Sequence, residues 1–221
     1  MKLDMHGHTH FSKDSRLKPT AIVARARSMG LDAICITDHD EIGGAFEVAA
    51  LGVLPVVIGE EIRTSEGEII GLFLRERIAP LMNPEDTIAA IREQGGVVYV
   101  PHPFDSYRGS RLTPSALERI VDRIDILEVF NARNLRRSQN DAAVAFATRH
   151  KLLMGAGSDS HTIFEIGHAF IELPPFSGPQ ELLASIAQGV PTGRLTNPLV
   201  HVLTRWDRTV KSVRGRSHPT V

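Results

Sequence analysis

Short apolar runs recur along the chain at Lys2–Met5, Ala33–Thr37, Leu54–Ile58, Ile69–Leu74, Val97–Val100, Ile124–Phe130, Leu152–Ala156 and Ala169–Leu173. Each is short, rich in Val or Ile and flanked by polar or turn residues, which predicts a buried strand. Helix signals fill many of the gaps. Pro19 opens one helix that stops at Gly30, and Asn83-Pro84-Glu85-Asp86 caps another that stops at Gly95-Gly96. Thr113-Pro114 and Gly178-Pro179 start two more. A fifth is expected from about Asn134 to His150, where Ala142, Ala143, Ala145, Phe146 and Ala147 alternate with polar positions.

Strands alternating with helices predict an α/β fold with a parallel sheet, and near-continuous apolar strands predict cover on both faces. A closed barrel and an open doubly wound sheet both meet that description. The polar residues decide between them. His6-Gly7-His8, Thr37-Asp38-His39-Asp40, Gly59-Glu60-Glu61, Pro101-His102-Pro103 and Asp159-Ser160-His161 each follow an apolar run. Chemistry at the C-terminal ends of many strands belongs to a barrel mouth, whereas an open sheet gathers it at one switch point. The expected fold is therefore a distorted barrel of seven strands.

Composition narrows the function classes. The chain has 221 residues and a formal net charge of −1, which suits one globular domain and gives no bulk attraction to nucleic acid or an anionic membrane. No apolar run approaches the roughly 20 residues that span a bilayer. Met1-Lys2-Leu3-Asp4 leads straight into a polar motif, so a soluble, cytoplasmic protein is expected. Cys35 is the only cysteine, which excludes an intramolecular disulfide and a thiolate metal site, and it reads as core filler. Residues 1–200 form the expected barrel domain. The remaining segment, 201–221, sets Arg205, Arg208, Lys211, Arg214 and Arg216 among Val202, Leu203, Trp206 and Val210, and reads as a basic terminus packed on the barrel or fraying from it.

Strand side chains alternate, so His6 and His8 share a face. With Asp14, His39, Glu61, His102, Asp159 and His161 they supply imidazoles and carboxylates able to bridge ions, as a multinuclear hydrolytic centre needs. Such ligands admit Zn, Mn, Fe or Mg. Arg108 and Arg111, and then Arg133, Arg136 and Arg137, follow ligand-bearing strands and are candidates for phosphate contact, with Arg108 and Arg133 first. Asp38 reads as an orienting partner for an imidazole or as a loop cap. His10 and His168 read as peripheral, facing solvent or held structurally.

Taken together, Asp4-Met5-His6-Gly7-His8-Thr9, Ile36-Thr37-Asp38-His39-Asp40, Pro101-His102-Pro103 and Gly157-Ser158-Asp159-Ser160-His161 resemble the four ordered motifs of the PHP (polymerase and histidinol phosphatase) family of metal-dependent phosphoesterases. The resemblance runs to about Pro191 and implies a distorted (β/α)7 barrel with two or three divalent ions at its mouth. It implies that His6, His8, Glu61 and Asp159 hold one ion. Glu61 then bridges to a second ion on His102, and Asp14, His39 and His161 hold a third. Glu61 is preferred to Glu60 because the family places its acid two residues after a glycine, here Gly59; a register slip of one would exchange them. Asn131 stands where some relatives complete the second ion's shell with histidine, and Asp14 where some have a third histidine.

The implied activity is hydrolysis of a phosphomonoester, a small metabolite or a nucleotide, by a hydroxide bridging the ions. Asp159, His161, Arg108 and Arg133 are the expected catalytic residues. The alternatives are a nuclease limited to short oligonucleotides, a catalytically idle metal-binding module, and an amidohydrolase-type reaction.

Overall fold

The computed structural model describes residues 1–200 and Thr204. Nine strands form one sheet: β1 Lys2–Asp4, β2 Ala33–Ile36, β3 Val56–Thr64, β4 Gly67–Leu72, β5 Val97–Val100, β6 Ile126–Asn131, β7 Leu153–Gly157, β8 Ala169–Glu172 and β9 Val190–Gly193. Their order is β7-β6-β5-β4-β3-β2-β1-β8-β9. The helices are α1 Pro19–Ser28, α2 Gly43–Ala50, α3 Pro84–Glu93, α4 Pro114–Arg119, α5 Arg137–His150 and α6 Pro179–Ile186. Every strand and helix expected above is present; α2 and β9 are additional. The start signals work as capping chemistry. Asn83 accepts the Asp86 N–H at 2.8 Å and Thr113 accepts the Ala116 N–H at 3.2 Å, so each helix gains a partner for an orphan amide.

The sheet curls until its first and seventh strands meet. Lys2 and Leu3 pair antiparallel with β8, but beyond them the chain turns to β7. The Met5 N–H donates to Ala156 O at 3.1 Å, Asp159 N–H to His6 O at 2.8 Å, and His8 N–H to Ser160 O at 3.0 Å. Strands β1 to β7 thus form the expected seven-stranded barrel, with β8 and β9 as an antiparallel flap outside it. One barrel strand departs from the parallel expectation: β4 runs antiparallel to both β3 and β5. Only Ser65 and Glu66 separate Thr64 from its partner Gly67, and a parallel neighbour needs a crossover of a dozen residues or more.

Leu3, Met5, Cys35, Ile70, Leu72, Tyr99 and Ile126 pack together in one buried cluster, joined by Leu182 and Ile186 of α6. Cys35 is therefore core filler. A second cluster packs α3, α4 and α5 against the sheet, and a third packs α1 and α2 against β2. Among the described residues no helix is long and apolar enough to cross a membrane. The basic segment 201–221 lies outside the described residues apart from Thr204.

Candidate metal centre

The closing hydrogen bonds set His6, His8, Asp159 and His161 at one end of the barrel, where the other strands deliver the rest. An isolated parallel bridge pairs His39 with Glu61 just past β2. His102 (φ 30°) and Asp159 (φ 53°) both lie in the left-handed region, which non-glycine residues seldom adopt. Each is held there by its own amide, His102 N–H on Glu128 Oε2 at 2.6 Å and Asp159 N–H on His6 O at 2.8 Å. Fixed strain of this sort is a feature of functional sites.

Glu61 sits at the centre. Its Oε2 lies 3.3 Å from His6 Nε2, 3.4 Å from His8 Nε2 and 3.1 Å from His39 Nδ1, while Oε1 lies 2.9 Å from His102 Nε2. One carboxylate thus faces four imidazoles. Asp159 Oδ1 is 3.4 Å from both His8 Nε2 and His161 Nδ1 and 3.8 Å from His6 Nε2. Asp14 reaches His161 Nε2 at 3.3 Å and His39 Nε2 at 3.7 Å. All eight residues first proposed as ligands therefore meet in one cluster. Four overlapping trios could each hold an ion: His6, His8 and Glu61; His6, His102 and Asp159; His8, His39 and His161; and His39, Glu61 and Glu68.

Asn131 is placed differently from the other candidates. Its amide donates to Glu128 Oε2 at 2.8 Å and to Asp159 Oδ2 at 3.1 Å, and its Oδ1 accepts the Arg133 N–H at 2.8 Å. Its oxygen is thus spent on the backbone and its amide holds two acids. A register shift between Glu128 and Phe130 explains how it comes there: the extra residue puts Glu128 and Asn131 on one face and turns Phe130 outward.

Two acids that reach the ligand imidazoles were not singled out from sequence. Glu68, on β4, points back at His39 Nδ1 (3.7 Å) and His102 Nε2 (3.8 Å) because the hairpin folds it over the cluster. Glu128 is fully buried and takes hydrogen bonds from Tyr99 Oη, the His102 amide and Asn131, with His6 Nδ1 at 3.1 Å. Its signal was an acid inside the apolar run Leu127-Glu128-Val129-Phe130, since a buried carboxylate demands partners. Asp38 accepts from Thr9 and from Ser12 Oγ, and Ser12 Oγ is 3.1 Å from His8 Nδ1. It caps a loop and, through Ser12, braces an imidazole.

The electrostatics favour added positive charge. Burial raises Asp159 and Glu61, yet Arg108 and His6 hold Asp159, and His39 and His6 hold Glu61, well below the usual carboxylate range. Burial should lower His6, but Asp159, Glu61 and Glu128 lift it well above its ordinary value. His161 is the exception: burial, with His8 and Arg133 beside it, pushes it down to about 3, leaving a neutral ring. Among the described residues Asp159 Oδ1 and Glu68 Oε2 are buried without a well-aligned hydrogen-bond donor, imidazole nitrogens being their nearest polar neighbours. Buried carboxylate oxygens without a donor, among imidazoles at 3 to 4 Å, fit divalent cations of the N/O-ligand class.

A cavity of about 370 Å³ opens on the cluster, lined by Asp14, His39, Glu68 and His161 and by the cations Lys13, Arg63, Arg108 and Arg133. Arg108 Nη1 lies 2.5 Å from Asp159 Oδ2, and Arg133 contacts His161 Nδ1 through Nη1 and Glu165 through Nε at 3.2 Å. The other arginines lie elsewhere. Arg111 lines a groove between α4 and α5, Arg136 covers the Tyr107 ring at 5.7 Å, and Arg137 is exposed. His10 is 40% exposed near Glu47, and His168 is half-buried between Thr196 and Arg194, so both lie outside the cluster.

The same frame is found in known proteins. Solved structures of similar fold include PsfC from Pseudomonas syringae (TM-score 0.68, 19% identity, 95% of this chain and 98% of that one). A protein described as an amidohydrolase from Chromobacterium violaceum, with bound sulfate and no metal, gives 0.63 at 20% identity over 86% and 98%. A candidate metal-dependent phosphoesterase from Bifidobacterium adolescentis gives 0.59 at 21% over 75% and 88%. Two uncharacterized proteins of Methanocaldococcus jannaschii are nearer in sequence. One is 43% identical over 147 residues (60% of this chain, 82% of the relative), the other 34% over 195 residues (83% and 78%). The PHP domain model matches residues 4–95, which carry His6, His8, Asp14, His39 and Glu61, and the PHP-associated model matches residues 137–191, which carry Asp159 and His161. With its barrel and its strand-end cluster, this chain belongs to the PHP family.

Proposed function

We propose that this chain is a metal-dependent phosphoric ester hydrolase acting on a phosphomonoester, a small metabolite or a nucleotide. The observation that carries the reading is one cavity lined both by Asp14, His39, Glu68 and His161 of the ligand cluster and by Arg108 and Arg133. In this reading His6, His8, Glu61 and Asp159 hold one ion, Glu61 and His102 a second with Glu68 added, and Asp14, His39 and His161 a third. Bound there, divalent ions activate water and neutralise charge on the phosphoryl oxygens. Arg108 and Arg133 supply fixed cations for the same oxygens, with a planar donor geometry that suits phosphate. Glu128 and Asn131 orient His6 and Asp159, and Glu165 holds Arg133.

Metal analysis with a substrate panel tests this. Purified protein should carry two or three divalent ions and hydrolyse p-nitrophenyl phosphate, histidinol phosphate or a mononucleotide; chelation should abolish turnover and Mn or Zn restore it. Replacing Arg108 or Arg133 with Ala should lower kcat/KM by about 100-fold or more, the scale of losing a charged donor to the transition state. Full activity after exhaustive chelation would overturn the reading. Turnover of short oligonucleotides alone would favour the nuclease, and metal without turnover an idle module.

A further inference from the structure

A buried carboxylate outside the ligand cluster meets one of the cavity's cations, Arg108. Asp105 follows β5 in the loop to α4 and is 1% exposed. Its amide donates to His102 O at 3.1 Å, which ties it to the ligand-bearing loop. Its Oδ1 accepts the Tyr107 N–H and the Gln139 Nε2–H, both at 3.0 Å, so the loop and helix α5 fix it from two sides. Its Oδ2 lies 3.0 Å from Arg108 Nε.

That contact limits what Arg108 can do. A free guanidinium beside Asp159 would pair with it bidentately, covering a carboxylate that the proposed function assigns to an ion. With Nε held by Asp105, Arg108 reaches Asp159 through Nη1 alone, at 2.5 Å. Its Nη2 is buried without an acceptor, on a side chain that lines the cavity. The guanidinium is therefore fixed by two carboxylates at the cavity wall, where its charge faces an entering oxyanion. Arg108 also stands on a loop, where fixing a long side chain otherwise costs rotamer entropy.

We propose that Asp105 is a positioning residue that acts through Arg108, holding its guanidinium at the cavity wall as a fixed cation for a phosphoryl group and keeping Arg108 from closing over Asp159. The proposal rests on the phosphoesterase reading above. It makes Asp105 matter only while Arg108 is present.

A double-mutant cycle of Asp105→Asn and Arg108→Ala tests it on the metal-loaded full chain. Two quantities are read: the dissociation constant of inorganic phosphate by calorimetry, and kcat/KM for p-nitrophenyl phosphate. Asp105→Asn should weaken both by about tenfold in the Arg108 background and by less than twofold in the Arg108→Ala background, with bound metal unchanged. If Asp105→Asn fails to fold, Gln139→Ala, which removes one anchor of Asp105, should show a smaller loss with the same dependence on Arg108. Effects that multiply in the double mutant, or no effect of Asp105→Asn in the Arg108 background, would overturn the positioning role alone. Wild-type protein that neither binds phosphate nor turns over the ester would overturn the phosphoesterase reading and the positioning role with it.

Discussion

Glu128 Oε1 lies 3.1 Å from His6 Nδ1, and both groups are fully buried. The contact fixes which ring nitrogen of His6 faces Glu61 and leaves Nε2 for an ion. Acids behind ligand imidazoles commonly account for 10- to 100-fold in metal affinity. Glu128→Ala should therefore weaken metal binding by about that factor, measured by competition with a chelator of known affinity; an unchanged constant would make Glu128 merely structural.

Glu60 and Glu61 are neighbours with opposite fates. Glu61 faces the imidazoles, while Glu60 accepts the Ile78 N–H at 2.8 Å, and burial raises its carboxyl to about 7. A carboxyl that binds its proton more tightly when folded favours the native state below the unfolded value near 4.5, and this advantage is lost as pH rises to 7. Relative to wild type, Glu60→Gln should thus gain stability between pH 4.5 and 7, by up to roughly 3 kcal/mol. Denaturant unfolding across that range checks the sign, and Glu61→Gln should instead lose bound metal.

Gly157 ends β7 against β1. A Cβ there would strike His6 Cβ and come within 2.7 Å of Glu128 Oε1. Neither can retreat, since one is on backbone-paired His6 and the other is held by Tyr99 Oη and His6 Nδ1. Gly157→Ala should cost about 1–3 kcal/mol by overpacking and lower metal content as well. Thermal unfolding with metal analysis would show both effects, and a variant matching wild type in both would refute the tight packing.

Metal removal should destabilise the fold, because the cluster then keeps its crowded carboxylates without added cations. Binding to the native state alone contributes about 4 kcal/mol at a free ion concentration 1,000 times the dissociation constant. Chelation should lower Tm, and Tm should climb again with the logarithm of added Mn or Zn. A Tm indifferent to metal would place the ions outside the barrel mouth.

The legible parts of the sequence were those with a period or a punctuation. His6 and His8 alternate on a strand, and Pro19, Asn83-Pro84 and Thr113-Pro114 mark helix starts. Helix α2 opens on Gly43-Gly44, which reads as a turn, and β9 contains Pro191 and Gly193 with half its positions exposed. Glu68 was hidden because its relevance depends on the β3–β4 hairpin folding it back onto the cluster. Asn131 faces the site only through the register shift at Glu128 and Phe130, which strict alternation would not place.

The hydrogen bonds of His6 and His8 to Asp159 and Ser160 close the barrel, and the same residues carry or flank the ligands. The centre is therefore assembled across the longest loop the barrel contains, and it has no half-built form that β1 or β7 could hold alone. Long-range pairings of this kind form late and slowly. Ion uptake should consequently mark the final step of folding, and an ion once bound acts as a clasp on the ring of strands, slowing its opening more than it speeds its formation.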